Sequence, residues 1–253
     1  MKQITLLATI GIFAIVIGGA WAAPQARIAG GDDAVPGQIP YQAALSIAGL
    51  YTCGAVILSE RYALTSLYCV CSAGSDRPWP PQMFSFTAGT TDLYSGGVRI
   101  VVEEITVNPN YHDLSTGIAL LKLTQPLVFS DYIQPIELAQ TNPPLNADVE
   151  ISGWGRTKEG QTDMYRYLQI NGATVVDSME CTRVLGRSDP DILCMSHPRK
   201  NGICMGDFGG PAVYNGKVVG IASVVMGECG SLLPDIFTSV AEHYEWIQKT
   251  MEL

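Results

Sequence analysis

Residues 206–211 read Gly-Asp-Phe-Gly-Gly-Pro, a cluster of turn-forming residues that precedes a run rich in Val and Ile at 217–225. The same alternation of short apolar runs with Gly, Pro, Asn and Asp clusters extends outward through the chain. The other runs lie at 42–47, 55–58, 98–105, 118–123 and 168–175. Many short strands separated by turn signals predict an all-β sandwich or barrel.

Two segments depart from this β pattern. The middle of the chain carries Pro126, Pro135, Pro143 and Pro144, which indicates a connector between two β halves. Near the end, apolar residues recur at helical spacing over 240–251, with charged residues between them. We therefore expect one amphipathic C-terminal helix packed on the second β half.

The first residues have the pattern of a secretory signal peptide. Lys2 precedes an apolar run at 4–17, and small residues follow at Ala20 and Ala22. The run is shorter than the roughly 20 apolar residues that a membrane-spanning helix needs. We therefore expect residues 1–22 to be removed and the protein to be secreted into the extracellular space. An uncleaved anchor is the alternative.

Composition and charge narrow the classes of partner. The 253 residues are 47% hydrophobic and 15% charged, so the chain can bury a sizeable core. Its formal net charge of −9 becomes −10 when the segment with Lys2 is removed. An acidic protein repels nucleic acids and anionic membranes and favours basic or neutral partners. We expect neither nucleic acid nor a membrane as a partner.

Seven cysteines in a secreted chain imply disulfides and one cysteine left over. Their spacings do not form the paired CxxC clusters of a zinc site, and the chain has only three histidines, His112, His197 and His243. We therefore expect no metal and no cofactor. The three histidines are interpreted as solvated loop residues.

Four segments occur in the order found in the chymotrypsin-like (trypsin-type, S1) serine proteases, and the chain resembles that family. Residues 27–31 resemble its activation site, 64–69 its histidine box, 115–121 its aspartate box and 206–211 its serine box. Two further matches are Ile151-Ser152-Gly153-Trp154-Gly155 and Trp246-Ile247.

The resemblance implies an all-β fold. We expect two six-stranded antiparallel β-barrels, about 28–135 and 147–240, followed by the C-terminal helix. Residues 23–27 would form a short propeptide. Cleavage after Arg27 would then free the amine of Ile28 to pair with the carboxylate of Asp207, as in a zymogen.

Catalysis in this family needs a hydroxyl nucleophile, an imidazole that takes its proton and a carboxylate that orients the imidazole. The resemblance places Tyr68, Gly117 and Phe208 at these three positions. A phenol, with a pKa of ~10, is a poor general base at neutral pH. Gly117 and Phe208 offer no carboxylate and no nucleophile. The sequence therefore predicts no catalytic residues and a pseudoenzyme rather than an enzyme.

Other positions of the family's site are also identifiable by resemblance. The backbone N–H groups of Gly206 and Phe208 would form a relic of the oxyanion hole. The specificity pocket would be bounded by Gly202, Ser223, Val224, Val225 and Asp235. Its larger side chains are expected to narrow or close the pocket. Alternatively, Asp235 binds a basic side chain.

The family's disulfide pattern implies Cys53–Cys69, Cys181–Cys194 and Cys204–Cys229. Cys71 is then unpaired, and it either links to a partner chain or stays free.

Three functions remain open at this stage. The first is a secreted non-catalytic module that binds or regulates a protease, inhibitor or recognition protein in an extracellular proteolytic pathway. The second is a weak or unusual serine-type endopeptidase. The third is a structural or storage protein of a secretion.

Overall fold

A computed structural model of the chain describes residues 31–72, 74–111, 113–186 and 188–252. The expected signal peptide 1–22, propeptide 23–27 and cleavage site Arg27–Ile28 lie outside these residues, as does His112. The strands are β1 Asp32–Asp33, β2 Gln42–Ile47, β3 Leu50–Ile57, β4 Tyr62–Ser66, β5 Phe84–Ala88, β6 Val98–Val107, β7 Ile118–Leu123, β8 Glu137–Leu138, β9 Asp148–Gly153, β10 Gln169–Val175, β11 Ile192–Ser196, β12 Pro211–Tyr214, β13 Lys217–Val224 and β14 Asp235–Ser239.

The first barrel closes in the strand order β2-β3-β4-β7-β6-β5, with antiparallel pairing throughout. Strand β6 shows why these residues form a barrel wall, because Ile100 and Val102 are buried between exposed neighbours. A bulge between Val102 and Glu104 then shifts the alternation, so that Ile105 is buried and Glu104 stays in solvent.

The second barrel contains β9, β10, β11, β14, β13 and β12. It closes because β9 pairs with both β10 and β12. Strand β1 extends this sheet beside β10, and β8 joins β13 in parallel. The structure therefore confirms the expected pair of six-stranded antiparallel barrels.

Two α-helices complete the fold. Helix α2, Tyr244–Met251, is the predicted C-terminal helix and buries Ile247. Helix α1, Ser178–Leu185, was not predicted. The Asp177 carboxylate caps it by accepting from the N–H of Met179 at 2.9 Å, and Gly186 ends it with φ +71°. No helix in the described ranges is both long and apolar enough to span a bilayer.

Three disulfides stabilise the fold: Cys53–Cys69, Cys181–Cys194 and Cys204–Cys229. They are the three pairs that the resemblance implies. The first links β3 to the turn after β4, the second links α1 to β11, and the third links two loops of the second barrel. Cys71 is a buried free thiol.

The barrels meet through the loop at 206–211, which connects to β12. The N–H of Gly54, in β3, donates to the carbonyl of Phe208 at 2.8 Å. A Cβ at Gly54 would lie 2.9 Å from the backbone of Gly210, so the two chains can approach only because residue 54 is glycine. This close contact fixes the loop at the junction of the two barrels.

Candidate functional site

The structure brings the three predicted triad positions to this junction. Tyr68 lies in a short 3₁₀ helix after β4, Gly117 precedes β7, and Phe208 lies in the loop before β12. The N–H of Leu67 donates to the carbonyl of Gly117 at 2.9 Å. The rings of Tyr68 and Phe208 are 5.1 Å apart at 83°, an edge-to-face contact. All three positions therefore lie close together at the junction of the barrels.

The two aromatic residues differ in exposure. Phe208 is only 7% exposed, whereas Tyr68 is 49% exposed. The edge-to-face geometry is a favoured arrangement of aromatic rings. The buried Phe208 ring thus supports an exposed tyrosine at the surface of the cleft. Tyr68 offers an apolar face and a hydroxyl group to a ligand.

A shallow cavity of about 270 Å³ adjoins Tyr68. Its wall includes Leu67, Cys71, Asp113 and Ser115. The Asp113 carboxylate also accepts from the N–H of Ser115 at 2.8 Å, so part of its hydrogen-bonding capacity is used within the loop. The exposed face of Tyr68 and this cavity form one continuous surface.

The buried carboxylate of Asp207 positions the loop at 206–211 through two hydrogen bonds. Its carboxylate accepts from the N–H of Gly155 at 2.7 Å and from the N–H of Cys204 at 2.9 Å. Burial raises the pKa of this carboxyl to about 7, although both hydrogen bonds act in the opposite direction. The predicted partner of Asp207, the amine of Ile28, lies outside the described residues.

The predicted oxyanion-hole relic consists of two backbone donors. Gly206 has φ +102°, a conformation that favours glycine, and its carbonyl accepts from the Tyr51 hydroxyl at 2.7 Å. Within the described part of the chain, no hydrogen bond uses the N–H of Gly206 or of Phe208. These two N–H groups remain the predicted donors of the cleft.

The predicted pocket residues also come together. Val224 of β13 pairs with Ile236, next to Asp235 at the start of β14. A Cβ at Gly202 would collide with Asp235 Oδ2 and with His197 Nε2. Ser223 is buried and its hydroxyl donates to the carbonyl of Ser115. His197 is the pocket residue that the sequence did not predict.

The interpretation of His197 and His243 as solvated loop residues is wrong. His197 Nε2 lies 3.2 Å from Asp235 Oδ2, and its side chain is 1% exposed. His243 Nε2 lies 3.8 Å from Asp191 Oδ1, and its Nδ1 lies 2.8 Å from Asn108 Nδ2. Both imidazoles are therefore buried in the fold: His197 contacts Asp235 of β14, and His243 contacts the Asn108 amide with Asp191 nearby.

Cys71 is expected to be a slow nucleophile. Burial, and to a lesser extent Asp76, raises the pKa of its thiol to about 11. We expect iodoacetamide to alkylate Cys71 on the order of 100-fold more slowly in the native protein than in the urea-unfolded protein, since the thiolate reacts. Mass spectrometry of timed samples without reductant measures both rates. Equal rates in the two states would contradict the burial of the thiol.

The part of the chain that the structure describes contains no group of three or more His, Cys, Asp or Glu side chains arranged to hold a metal ion.

Comparison with known proteins identifies the family. The model of the family described as Trypsin matches residues 28–247. The chain is 39% identical over 228 residues to "Serine protease SP24D" of Anopheles gambiae, covering 89% of this chain and 82% of that protein. It is 30% identical over 226 residues to "Trypsin delta" of Drosophila erecta, covering 87% of each.

A solved structure shows the same architecture. Neuropsin, described as a serine protease expressed in the limbic system of mouse brain, superposes with a TM-score of 0.79 at 28% identity. The match covers 87% of this chain and 98% of that one.

These relatives require one correction. The sequence predicted that the chain is not an enzyme, but the relatives that cover most of it are named as proteases. The described residues also contain a buried His–Asp pair, His243 and Asp191, which resembles the acid and imidazole of a protease triad. The prediction of an inactive protein is contradicted, and we do not retain it. The chain belongs to the trypsin family of serine proteases.

Proposed function

We propose that this chain is a secreted trypsin-family protein whose cleft binds a polypeptide segment of another extracellular protein in a proteolytic pathway. The observation that carries the proposal is the exposed Tyr68 ring supported edge-on by the buried Phe208. Tyrosine is enriched among the residues that dominate protein interfaces, because it combines a large apolar face with a hydroxyl and few rotatable bonds.

The charge of the protein favours a basic or neutral ligand. The formal net charge is −9 over the whole chain. Opposite charge on a partner increases the rate of encounter and disfavours acidic competitors. The proposed ligand is therefore a basic or neutral segment of a protease, an inhibitor or a recognition protein. The three disulfides support secretion, because such bonds persist in oxidising compartments.

Cys71 is not part of this proposal. Cys71 is 8% exposed, and the raised pKa of its thiol disfavours the thiolate that disulfide exchange requires. A covalent link to a partner through Cys71 would require the residues around it to move so that the thiol becomes accessible.

Cleavage after Arg27 is expected to change how stability depends on pH. The carboxyl of Asp207 has a pKa of about 7 in the folded protein, against about 4 in an unfolded chain. The folded state therefore binds more protons between these values, and stability falls as pH rises from about 4 to about 7. In a chain that begins at Ile28, an ammonium paired with Asp207 would lower the pKa and weaken or reverse this fall.

Urea unfolding across this pH range measures the effect in two forms, one beginning at Ala23 and one at Ile28. We expect stability to fall more steeply with pH in the longer form, by on the order of 2–4 kcal/mol over the range. The Asp207→Asn variant removes the titrating group and should give both forms the same slope. Equal slopes in the unmodified forms would contradict the pairing.

Affinity capture tests the proposed binding. The form beginning at Ile28 is immobilised and exposed to the native secreted fluid, and the Phe208→Ala form is treated in parallel. We expect saturable capture of one class of protein, with at least about tenfold weaker affinity for the variant, since Tyr68 loses its support. Equal capture by both forms, or no saturable capture, would contradict the proposal and favour a structural or storage role.

A second candidate is a serine-type peptidase, favoured by the names of the relatives and by the pair His243–Asp191. In this candidate a hydroxyl must reach the His243 imidazole. The expected result is hydrolysis of peptides that His243→Ala abolishes and Tyr68→Phe leaves unchanged. Hydrolysis that is insensitive to His243→Ala would contradict a catalytic role of this pair.

A further inference from the structure

The residues that the resemblance places at the specificity pocket include a buried acid in direct contact with a base. His197 Nε2 lies 3.2 Å from Asp235 Oδ2, and their side chains are 1% and 4% exposed. The same Asp235 oxygen accepts from the N–H of Ile203 at 2.7 Å. A buried carboxyl stays ionised only if it is paired, because an isolated charge in the protein interior is strongly disfavoured.

The second nitrogen of His197 indicates the protonation state. His197 Nδ1 lies 3.1 Å from the carbonyl oxygen of Pro198. A carbonyl oxygen can only accept, so Nδ1 must carry a proton. An imidazolium satisfies both contacts, donating from Nδ1 to Pro198 and from Nε2 to Asp235. Burial raises the pKa of Asp235, and the hydrogen bond and charge of His197 act in the opposite direction. Consistently, the hydrogen bond and charge of Asp235 raise the pKa of His197, against the effect of burial.

Gly202 lets the pair occupy the floor of the pocket. Its φ of +99° favours glycine, and any Cβ there would collide with both His197 Nε2 and Asp235 Oδ2. The backbone of residue 202 therefore packs directly against the ion pair. Val224 and Val225, which the resemblance places in the wall of the pocket, are only partly buried.

The other charged group near this pair is acidic. Asp207 is also buried and carries no positive charge, and its pKa is raised chiefly by burial and to a smaller extent by the charge of Asp235. Among the described residues, His197 is the cationic side chain in contact with Asp235.

We propose that His197 is a built-in cationic occupant of the pocket, whose imidazolium takes the place on Asp235 that an amidinium or guanidinium group of a ligand would otherwise take. The native pocket therefore excludes basic side chains at its floor. Removal of the imidazole converts this region into a site for a planar cation. The inference concerns the pocket floor alone and does not depend on which polypeptide the cleft binds.

Binding of benzamidine and imidazole tests this inference without any polypeptide. Titration calorimetry is carried out on the wild-type form beginning at Ile28, on His197→Ala and on His197→Ala/Asp235→Asn. We expect His197→Ala to bind both probes saturably, at least about tenfold more tightly than wild type, because charge-assisted hydrogen bonds to Asp235 replace those lost. The double variant should lose this gain.

Three results would overturn the inference. One is wild-type protein that binds benzamidine as tightly as His197→Ala does. Another is a folded His197→Ala protein that binds neither probe. The third is binding that survives Asp235→Asn. If His197→Ala unfolds without ligand, the probes must restore the folded fraction, because a ligand that binds only the folded state stabilises it. Failure to restore it would also overturn the inference.

Discussion

Asp235→Ala is expected to lower the free energy of unfolding by about 3–5 kcal/mol, the usual cost of removing one partner of a buried ion pair. The substitution leaves the His197 imidazole without its carboxylate and the N–H of Ile203 without its acceptor. The matched control is Asp92→Ala, which breaks the ion pair with Arg166 at 2.8 Å, where the Arg166 side chain is 54% exposed. An exposed pair of this kind contributes about 1 kcal/mol or less.

Urea unfolding of the three proteins measures both effects, and pH provides an internal check. The pKa of His197 is raised in the folded state. The stability gained from its charge is therefore fully present below the unfolded pKa of about 6.5 and is lost as pH rises through the higher folded value. The loss in free energy of unfolding that Asp235→Ala causes, relative to wild type, should therefore become smaller as pH rises over that range. Equal losses for Asp235→Ala and Asp92→Ala would contradict a buried pair.

Trp154→Ala is the second substitution with a large expected effect, a loss of about 3–5 kcal/mol. Trp154 is fully buried, and its indole N–H donates to the carbonyl of Thr91 at 2.9 Å. Its ring also contacts the ring of Tyr51 at 6.1 Å, and Tyr51 holds the carbonyl of Gly206. The substitution should therefore destabilise the fold and weaken the contact that positions the loop at 206–211.

Thermal or urea unfolding measures the loss, with Trp79→Ala as the control. Trp79 is 44% exposed, and a surface substitution usually changes stability by about 0.5 kcal/mol or less. A loss for Trp154→Ala that is no greater than for Trp79→Ala would contradict the packing described here.

The strands were predictable because their signals are local. The run at 118–123 has the bounds of β7, and the run at 42–47 has those of β2. Turn residues and β-branched residues act over a few positions, so they can be read from a single sequence.

Helix α1 was missed although Asp177 and Gly186 are its capping residues. A helix of eight residues is marginal alone and depends on tertiary contacts, here including the disulfide at Cys181.

The positions in the cleft were also predictable, but their contacts were not. The resemblance placed Tyr68 and Phe208 in one site, whereas the edge-to-face contact between their rings depends on the fold. His197 shows the same limit most clearly. It precedes Pro198, Arg199 and Lys200, which are exposed and give the segment the pattern of a solvated loop. Its buried partner Asp235 comes from β14 and cannot be inferred from neighbouring residues.

The proposed binding of a polypeptide depends on the exposed ring of Tyr68. The most direct measurement is the affinity of the isolated ligand for three proteins that begin at Ile28: wild type, Tyr68→Ala and Tyr132→Ala. Tyr132 is a matched control because it is 52% exposed, close to the 49% of Tyr68, and lies beside Gly37 in the connector between the barrels. We expect Tyr68→Ala to weaken binding by about tenfold or more and Tyr132→Ala to change it by less than about twofold. Equal affinities for wild type and Tyr68→Ala would contradict the proposed binding.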